Sequence, residues 1–157
     1  MLYLKKGLGL ILLGCVIWLA WVFSIQTGLG DFSKFYKPSH EINWQNYSAS
    51  EVTKARGSGH GVFIDFTAAW CINCQVNDRL VLQNPEVVKA FKDQGIVAFK
   101  GDWTKYDPLI TQALASFGRD SIPVYVYYPP GANAPIILPQ LITPKMILER
   151  VSDKNVS

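Results

Sequence analysis

Two cysteines three residues apart, Cys71 and Cys74, have the residue type and spacing for redox chemistry. They follow directly on a predicted strand-to-helix junction at residues 66–70. Unpaired backbone N–H groups and the helix dipole favour an anion at a helix N-terminus, so we expect the Cys71 thiol to ionise near neutral pH. Cys74, one turn further on, is placed to attack a mixed disulfide formed by Cys71. The spacing therefore predicts a dithiol–disulfide cycle.

A structural zinc site and an inert structural disulfide are the alternative interpretations of this pair. Structural zinc usually takes four ligands, typically from a second cysteine pair or from a histidine pair. The further candidate ligands are His40 and His60, which both lie upstream and are not spaced as a ligand pair. The sequence therefore favours a redox pair, and we expect no metal and no cofactor beyond the Cys71–Cys74 disulfide itself.

The elements that must position the cysteines alternate between strands and helices. Short apolar runs predict strands at residues 62–66, 96–99, 124–128 and 136–138. Capping residues and helical spacing predict helices at 48–56, with a capping box from Ser48 to Glu51, and at about 71–82, 85–94, 108–117 and from 144 onward. The predicted class is α/β, with a βαβ unit and a ββα unit around one central mixed sheet. The thioredoxin fold is the first candidate for this order.

The first thirty residues are predicted to be a membrane anchor. No charged residue lies between Lys6 and Asp31. The apolar stretch at about residues 8–25 would be roughly 27 Å long as a helix, close to the ~30 Å hydrocarbon core of a bilayer. Lys5 and Lys6 flank its N-terminal end, so the positive-inside rule places residue 1 in the cytoplasm. We therefore expect a single transmembrane helix with the following domain on the outer side.

Two other interpretations of this segment are a cleaved signal peptide and a lipoprotein box. A signal peptide has a shorter apolar region before small residues such as Gly28 and Gly30. Leu12-Leu13-Gly14-Cys15 is similar to a lipoprotein box, but the apolar run continues beyond Cys15. A retained span, with Cys15 as a small apolar residue in the helix, is favoured.

Length and composition set the remaining limits. With 157 residues the chain has room for one ordinary domain, predicted at residues 44–157, after a linker at residues 31–43. A hydrophobic content of 49% excludes a disordered protein. Apart from Lys5 and Lys6, 13 of the 15 basic residues remain against 12 acidic ones, so a basic surface for nucleic acid is excluded.

The segment from Phe63 to Cys74 resembles the active-site segment of the thioredoxin-like family. It is most similar to the C-terminal periplasmic domain of DsbD-type thiol:disulfide interchange proteins, over about residues 44–153. The apolar segment before it resembles the last membrane helix that leads into that domain. The sequence includes neither their other membrane helices nor their N-terminal domain, which fits either a stand-alone tethered form or a piece of a longer protein.

The resemblance implies roles for individual residues. Asp65 matches the buried acid that accepts the proton of the second cysteine through water, and Lys100 resembles the lysine beside that acid. Trp70 matches the tryptophan that covers the cysteine pair. Ile122 and Pro123 resemble the cis-proline loop that binds the extended chain of a partner. Ile72-Asn73 replaces the Gly-Pro pair of thioredoxins, so the redox potential does not carry over.

The expected function is that of a membrane-tethered protein-disulfide reductase of the bacterial inner membrane, with its catalytic domain in the periplasm. The resemblance implies an integral-membrane electron donor and, as acceptors, periplasmic thioredoxin-like or disulfide-bonded proteins, including those of cytochrome c maturation. A DsbA-like oxidant and a copper-handling module are the alternatives. Strong oxidants often carry a histidine between the cysteines, where this chain has Asn73, and two methionines are few for copper handling.

Overall fold

The computed structural model describes residue 9, residues 12–20 and residues 41–152. The chain divides into two compact units, residues 1–39 and 40–157. Residue 9 and residues 12–20 are helical, but no helix among the described residues has both the length and the apolar character that crossing a bilayer requires. Much of the predicted span, including residues 21–25, lies outside the described residues, as do residues 31–40 of the predicted linker.

A five-stranded mixed sheet forms the centre of the second unit, in the order β1-β3-β2-β4-β5. The strands are β1 (Trp44–Asn46), β2 (Val62–Thr67), β3 (Val97–Asp102), β4 (Val124–Tyr128) and β5 (Ile136–Leu138). The first three strands in the sheet order run parallel, whereas β4 is antiparallel to both β2 and β5. This arrangement confirms the predicted βαβ unit followed by a ββ hairpin.

Helices cover both faces of the sheet. They are α1 (Ala49–Gly57), α2 (Ile72–Asn77), which continues into a π-helical segment (Asp78–Leu82), α3 (Pro85–Asp93), α4 (Pro108–Ser116) and α5 (Pro144–Ser152). The π-helical segment, α3 and α5 pack around Phe63 and Tyr125 on one face. The helices α1 and α4 pack around Ile64 and Phe66 on the other. The central strand β2 is therefore buried on both sides, as its continuous apolar run predicts.

Local signals locate the starts of two helices. The side chains of Asn84 and Asp107 accept hydrogen bonds from the first backbone N–H groups of α3 and α4, as predicted. The predicted capping box is wrong: the Ser48 hydroxyl lies 2.8 Å from that of Ser50 and caps no backbone N–H group. The predicted helix over 71–82 also differs, because its second half is π-helical.

Two strands depart from the predictions. The short strand β1 is not predicted at all, and β3 extends to Asp102, three residues beyond its predicted end. Before β1, Ile42 is buried in the core although it falls in the predicted linker. Both differences concern strand pairing between distant parts of the chain, since β1 pairs with residues 98–100 of β3 and the end of β3 pairs with the end of β2.

Gly101 in β3 sits opposite Phe66 of β2, and the buried ring of Phe66 occupies the space that a side chain at Gly101 would need. A Cβ atom at Gly101 would lie 2.5 Å from Phe66 Cδ1. We expect Gly101→Ala to lower the free energy of unfolding by about 1–3 kcal/mol, measured by denaturant titration. Gly57→Ala is the matched control, because a Cβ atom there meets nothing within 4 Å. Equal unfolding midpoints for the two variants would contradict this prediction.

Candidate active site

The cysteine pair lies at the start of α2, immediately after the loop that follows β2. Cys71 and Cys74 are joined by a disulfide with an S–S distance of 2.03 Å. Cys71 is the N-cap residue of α2, and its Sγ accepts a hydrogen bond from the backbone N–H of Cys74 at 3.2 Å. Cys71 is 7% exposed and Cys74 is 2% exposed. Cys71 is thus the more exposed residue of the pair, and its position at a helix start suits a thiolate.

The loop before β4 packs against the disulfide. Because β4 runs antiparallel to β2, its first residue, Val124, pairs with Phe66 near the end of β2. This pairing brings Ile122 against the cysteines. The peptide bond between Ile122 and Pro123 is cis, as in the loop that the family resemblance predicts. The structure therefore places Ile122, one of the two predicted partner-binding residues of this loop, at the site, and Pro123 follows it directly in the chain.

Asp65 lies in the middle of β2, one of the two buried charged or polar side chains among the described residues of the core. Asp65 is 2% exposed, and its Oδ1 atom has no hydrogen-bond partner among the described residues. Burial raises the pKa of Asp65 to about 7; Lys100 acts to lower that pKa and Asp78 to raise it further. A carboxyl group with this pKa can take up and release a proton near neutral pH.

Lys100 lies beside Asp65 because the two residues are paired in the register of β2 and β3. Its Nζ atom is 3.9 Å from Asp65 Oδ2 and 3.2 Å from Asp78 Oδ1. The predicted acid and lysine are therefore brought together. Asp78 is a residue of the site that the sequence analysis missed. Its position four residues after Cys74, on the same side of a helix, is the signal that could have identified it.

A polar cleft of about 470 Å³ opens next to Cys74. Asp78, Lys100 and Asp102 are among its lining residues. Hydrogen bonds from Thr104 lower the pKa of Asp102, so this carboxylate stays ionised at neutral pH. Because Cys74 and Lys100 both line this cleft, it gives solvent a route to the second cysteine and to the ammonium group of the lysine.

Trp70 is held by the loop that follows β3. Its indole N–H donates a hydrogen bond to the carbonyl of Thr104 at 3.3 Å, and its ring stacks on Tyr106 at 5.8 Å between centroids. The Thr104 hydroxyl accepts a hydrogen bond from the Ala69 N–H and also contacts Asp102. Trp70 is 49% exposed, so much of its surface is open to a partner.

Two further aromatic residues next to the site were not singled out from the sequence. Trp103 and Tyr106 pack edge to face at 4.9 Å and, with Trp70, form an aromatic cluster beside the start of α2. Tyr106 has a positive φ of 55°. No local pattern predicts this cluster, because Trp70 and Tyr106 meet only through the folding of the β3–α4 loop.

The described residues contain no group of three or more His, Cys, Asp and Glu side chains arranged to hold a metal ion. His60 lies exposed in the connection between α1 and β2, whereas His40 is outside the described residues. The buried tyrosines Tyr125 and Tyr127 belong to the core.

Comparison with known proteins agrees with this geometry. A family model described as Thioredoxin-like matches residues 43–130. Thiol:disulfide interchange protein DsbD 1 of Pseudomonas aeruginosa is 29% identical over 101 residues, which are 61% of this chain and 17% of that protein. DsbD of Pseudomonas fluorescens is 38% identical over 42 residues, 27% of this chain and 7% of that protein. The chain thus spans less than a fifth of the length of the curated relatives it matches.

Solved structures show the same fold. The oxidised C-terminal domain of Neisseria meningitidis DsbD aligns with a TM-score of 0.55 and 20% identity, covering 68% of this chain and 95% of that domain. A thioredoxin from Thermus thermophilus aligns with a TM-score of 0.57 and 19% identity, covering 71% and 85%. The resemblance to DsbD-type proteins noted from the cysteine segment is thereby confirmed. Since the family match spans more than half of the chain, this protein belongs to the thioredoxin-like family.

Proposed function

We propose that this protein is a membrane-tethered thiol–disulfide oxidoreductase that reduces disulfides of periplasmic proteins. The observation that carries the proposal is the Cys71–Cys74 disulfide at the start of α2, with Asp65 and Lys100 paired on the adjacent strands. Thiol–disulfide exchange requires a nucleophilic sulfur, and a carboxyl group that titrates near neutral pH can take the proton of the second thiol.

In the proposed cycle the reduced pair acts first through Cys71. Its thiolate attacks one sulfur of the partner's disulfide, that S–S bond breaks, and the partner keeps one free thiolate. Cys74 then loses its proton to Asp65, through water in the adjoining cleft, and attacks Cys71 Sγ. The mixed disulfide breaks, and the partner leaves with both sulfurs reduced. Two electrons have passed from the cysteine pair to the partner, and the Cys71–Cys74 disulfide has formed.

The direction of electron flow and the location are inferred from the DsbD-type relatives. Those relatives are named thiol:disulfide interchange proteins, and the apolar stretch at residues 8–25, preceded by Lys5 and Lys6, fits a membrane anchor with its N-terminus in the cytoplasm. We therefore place the domain in the periplasm, with the N-terminus in the cytoplasm. A single span without a redox cofactor cannot carry electrons across a bilayer, so an integral-membrane dithiol donor has to regenerate the pair. Periplasmic thioredoxin-like or disulfide-bonded proteins would be the acceptors.

The redox potential distinguishes this reductase from a DsbA-like oxidant. The full chain in mild detergent is equilibrated with glutathione buffers, and the thiol state of Cys71 and Cys74 is read by mass spectrometry. We expect a midpoint between about −270 and −200 mV, the range spanned by thioredoxin and the glutaredoxins. Cys71→Ser is the control that cannot form the disulfide. A midpoint near about −120 mV would reverse the proposed flow, and a pair that does not cycle would refute the oxidoreductase.

A further inference from the structure

The short edge strand β1 places an aromatic ring next to the charged groups of the site. Trp44 pairs with Ala98 in the parallel register of β1 and β3, and Asn46 pairs with Lys100. Side chains two residues apart in a strand point to the same face, so Trp44 and Lys100 share the face that also carries Asp65. The Lys100 Nζ atom lies over the Trp44 ring, 4.8 Å from its centroid.

The ammonium group of Lys100 is surrounded by three side chains from three elements. Asp78 of the π-helical segment lies 3.2 Å away, Asp65 of β2 lies 3.9 Å away, and the Trp44 ring covers a further side. The Lys100 side chain is 32% exposed, so it has solvent as an alternative to this position. A small cavity of about 120 Å³ between Trp44, Asp78 and Lys100 leaves room for the lysine to move.

We propose that Trp44 is a positioning residue of the redox centre, whose ring holds the Lys100 ammonium group against the carboxylates of Asp65 and Asp78. The face of an indole ring attracts a cation, most strongly where water is partly excluded. Trp44 also packs against Phe63 at 6.3 Å, which fixes the ring on the sheet. The role of the ring in thiol chemistry rests on the proposed function, whereas its effect on Lys100 does not.

The consequence for Asp65 follows from the charges around it. Lys100 lowers the pKa of Asp65, while burial and Asp78 raise it. If Lys100 turns into solvent, Asp65 loses its cation and keeps its anionic neighbour, so the pKa of Asp65 rises further. Other titratable groups also line the cavities around these residues or interact with them electrostatically: Glu41, Arg79, Asp102 and Tyr125. All four of these side chains are still present in the Trp44 variants.

The test compares aromatic and aliphatic replacements of Trp44 in the full, oxidised chain. The titration of the Asp65 carboxyl carbon is followed by ¹³C NMR, with Asp65→Asn to assign the signal. We expect Trp44→Leu and Trp44→Met to raise the titration midpoint by about half a pH unit, and Trp44→Phe to change it by less than half of that amount. Two aliphatic variants are included so that a folding defect in one does not remove the test.

A double-mutant cycle then shows whether Trp44 acts through Lys100. Lys100→Met is expected to raise the midpoint at least as far as Trp44→Leu, and the double variant to match Lys100→Met alone. An unchanged midpoint in both aliphatic variants, or a Trp44→Leu shift that persists in the Lys100→Met background, would overturn the proposal. The pH profile of disulfide exchange is measured in parallel. A wild-type chain that exchanges no disulfides refutes the proposed function, while the NMR titration still decides the role of Trp44.

Discussion

Replacing Cys71 with serine is expected to lower the rate of protein-disulfide reduction by at least about a thousandfold, because the variant lacks the nucleophile. Replacing Cys74 with serine should instead stop the reaction after its first step. The mixed disulfide between Cys71 and the partner then accumulates, since no second sulfur is present to break it. The full chain is reduced first, and the reduction of a disulfide-bonded protein such as insulin is followed together with the covalent adduct on non-reducing gels.

Cys15→Ser is the matched control for this pair. Cys15 is the one cysteine of the chain besides Cys71 and Cys74. It is not part of the disulfide, and it lies in the separate N-terminal unit. We expect this variant to reduce the substrate at the wild-type rate. Adduct formation by Cys71→Ser, with none by Cys74→Ser, would exchange the roles assigned to the two sulfurs. Full activity in both variants would remove the cysteine pair from the mechanism.

The sequence was sufficient to predict those parts of the fold that local signals encode. Apolar runs located β2 and β4, and side-chain caps at Asn84 and Asp107 located the starts of two helices. The strand β1 was missed because three residues are too short to show an alternating pattern. Its stability comes from pairing with β3, more than fifty residues away in sequence, so no local propensity reports it.

The residues of the site also divide into those that the sequence predicts and those that only tertiary packing brings there. The cysteine pair was predictable from its own spacing, and Asp65 and Lys100 from the resemblance to a family. Asp78, Trp44 and Tyr106 were not predicted as parts of the site, because their proximity to it depends on tertiary packing: a helix face, an edge strand and a loop meet only in the folded chain. A sequence therefore reveals the reacting atoms of such a site more readily than the groups that set their charges.

Asp65→Asn is expected to stabilise the protein at alkaline pH, since it removes a carboxylate that is buried with incomplete hydrogen bonding. Burial raises the pKa of Asp65 from 3.8 to about 7, so the native state holds a proton that the unfolded state has released. The contribution of Asp65 to the free energy of unfolding is therefore most favourable below about pH 4, falls between about pH 4 and 7, and stays low above pH 7. A shift of this size corresponds to about 4 kcal/mol.

The measurement is denaturant unfolding of the oxidised chain at pH 5 and at pH 8. The stability advantage of Asp65→Asn over wild type should be larger at pH 8 than at pH 5 by about 3 kcal/mol, because two of the roughly three pH units between the unfolded and folded pKa lie above pH 5. Asp120→Asn, which removes an exposed carboxylate, is the matched control and should change stability by less than about 0.5 kcal/mol at either pH. Parallel pH profiles for Asp65→Asn and wild type would show that Asp65 does not titrate in this range.

The same substitution should slow the reaction while it stabilises the fold. Asparagine cannot accept the proton of Cys74, so the step that breaks the mixed disulfide loses its base, and we expect it to slow roughly a hundredfold at neutral pH. The deficit should shrink as the pH rises, because more Cys74 is then ionised without help. Stopped-flow decay of the mixed disulfide at pH 6, 7 and 9 measures this step. A more stable variant with an unchanged rate would mean that the destabilising carboxylate serves no purpose in the proton transfer proposed for it.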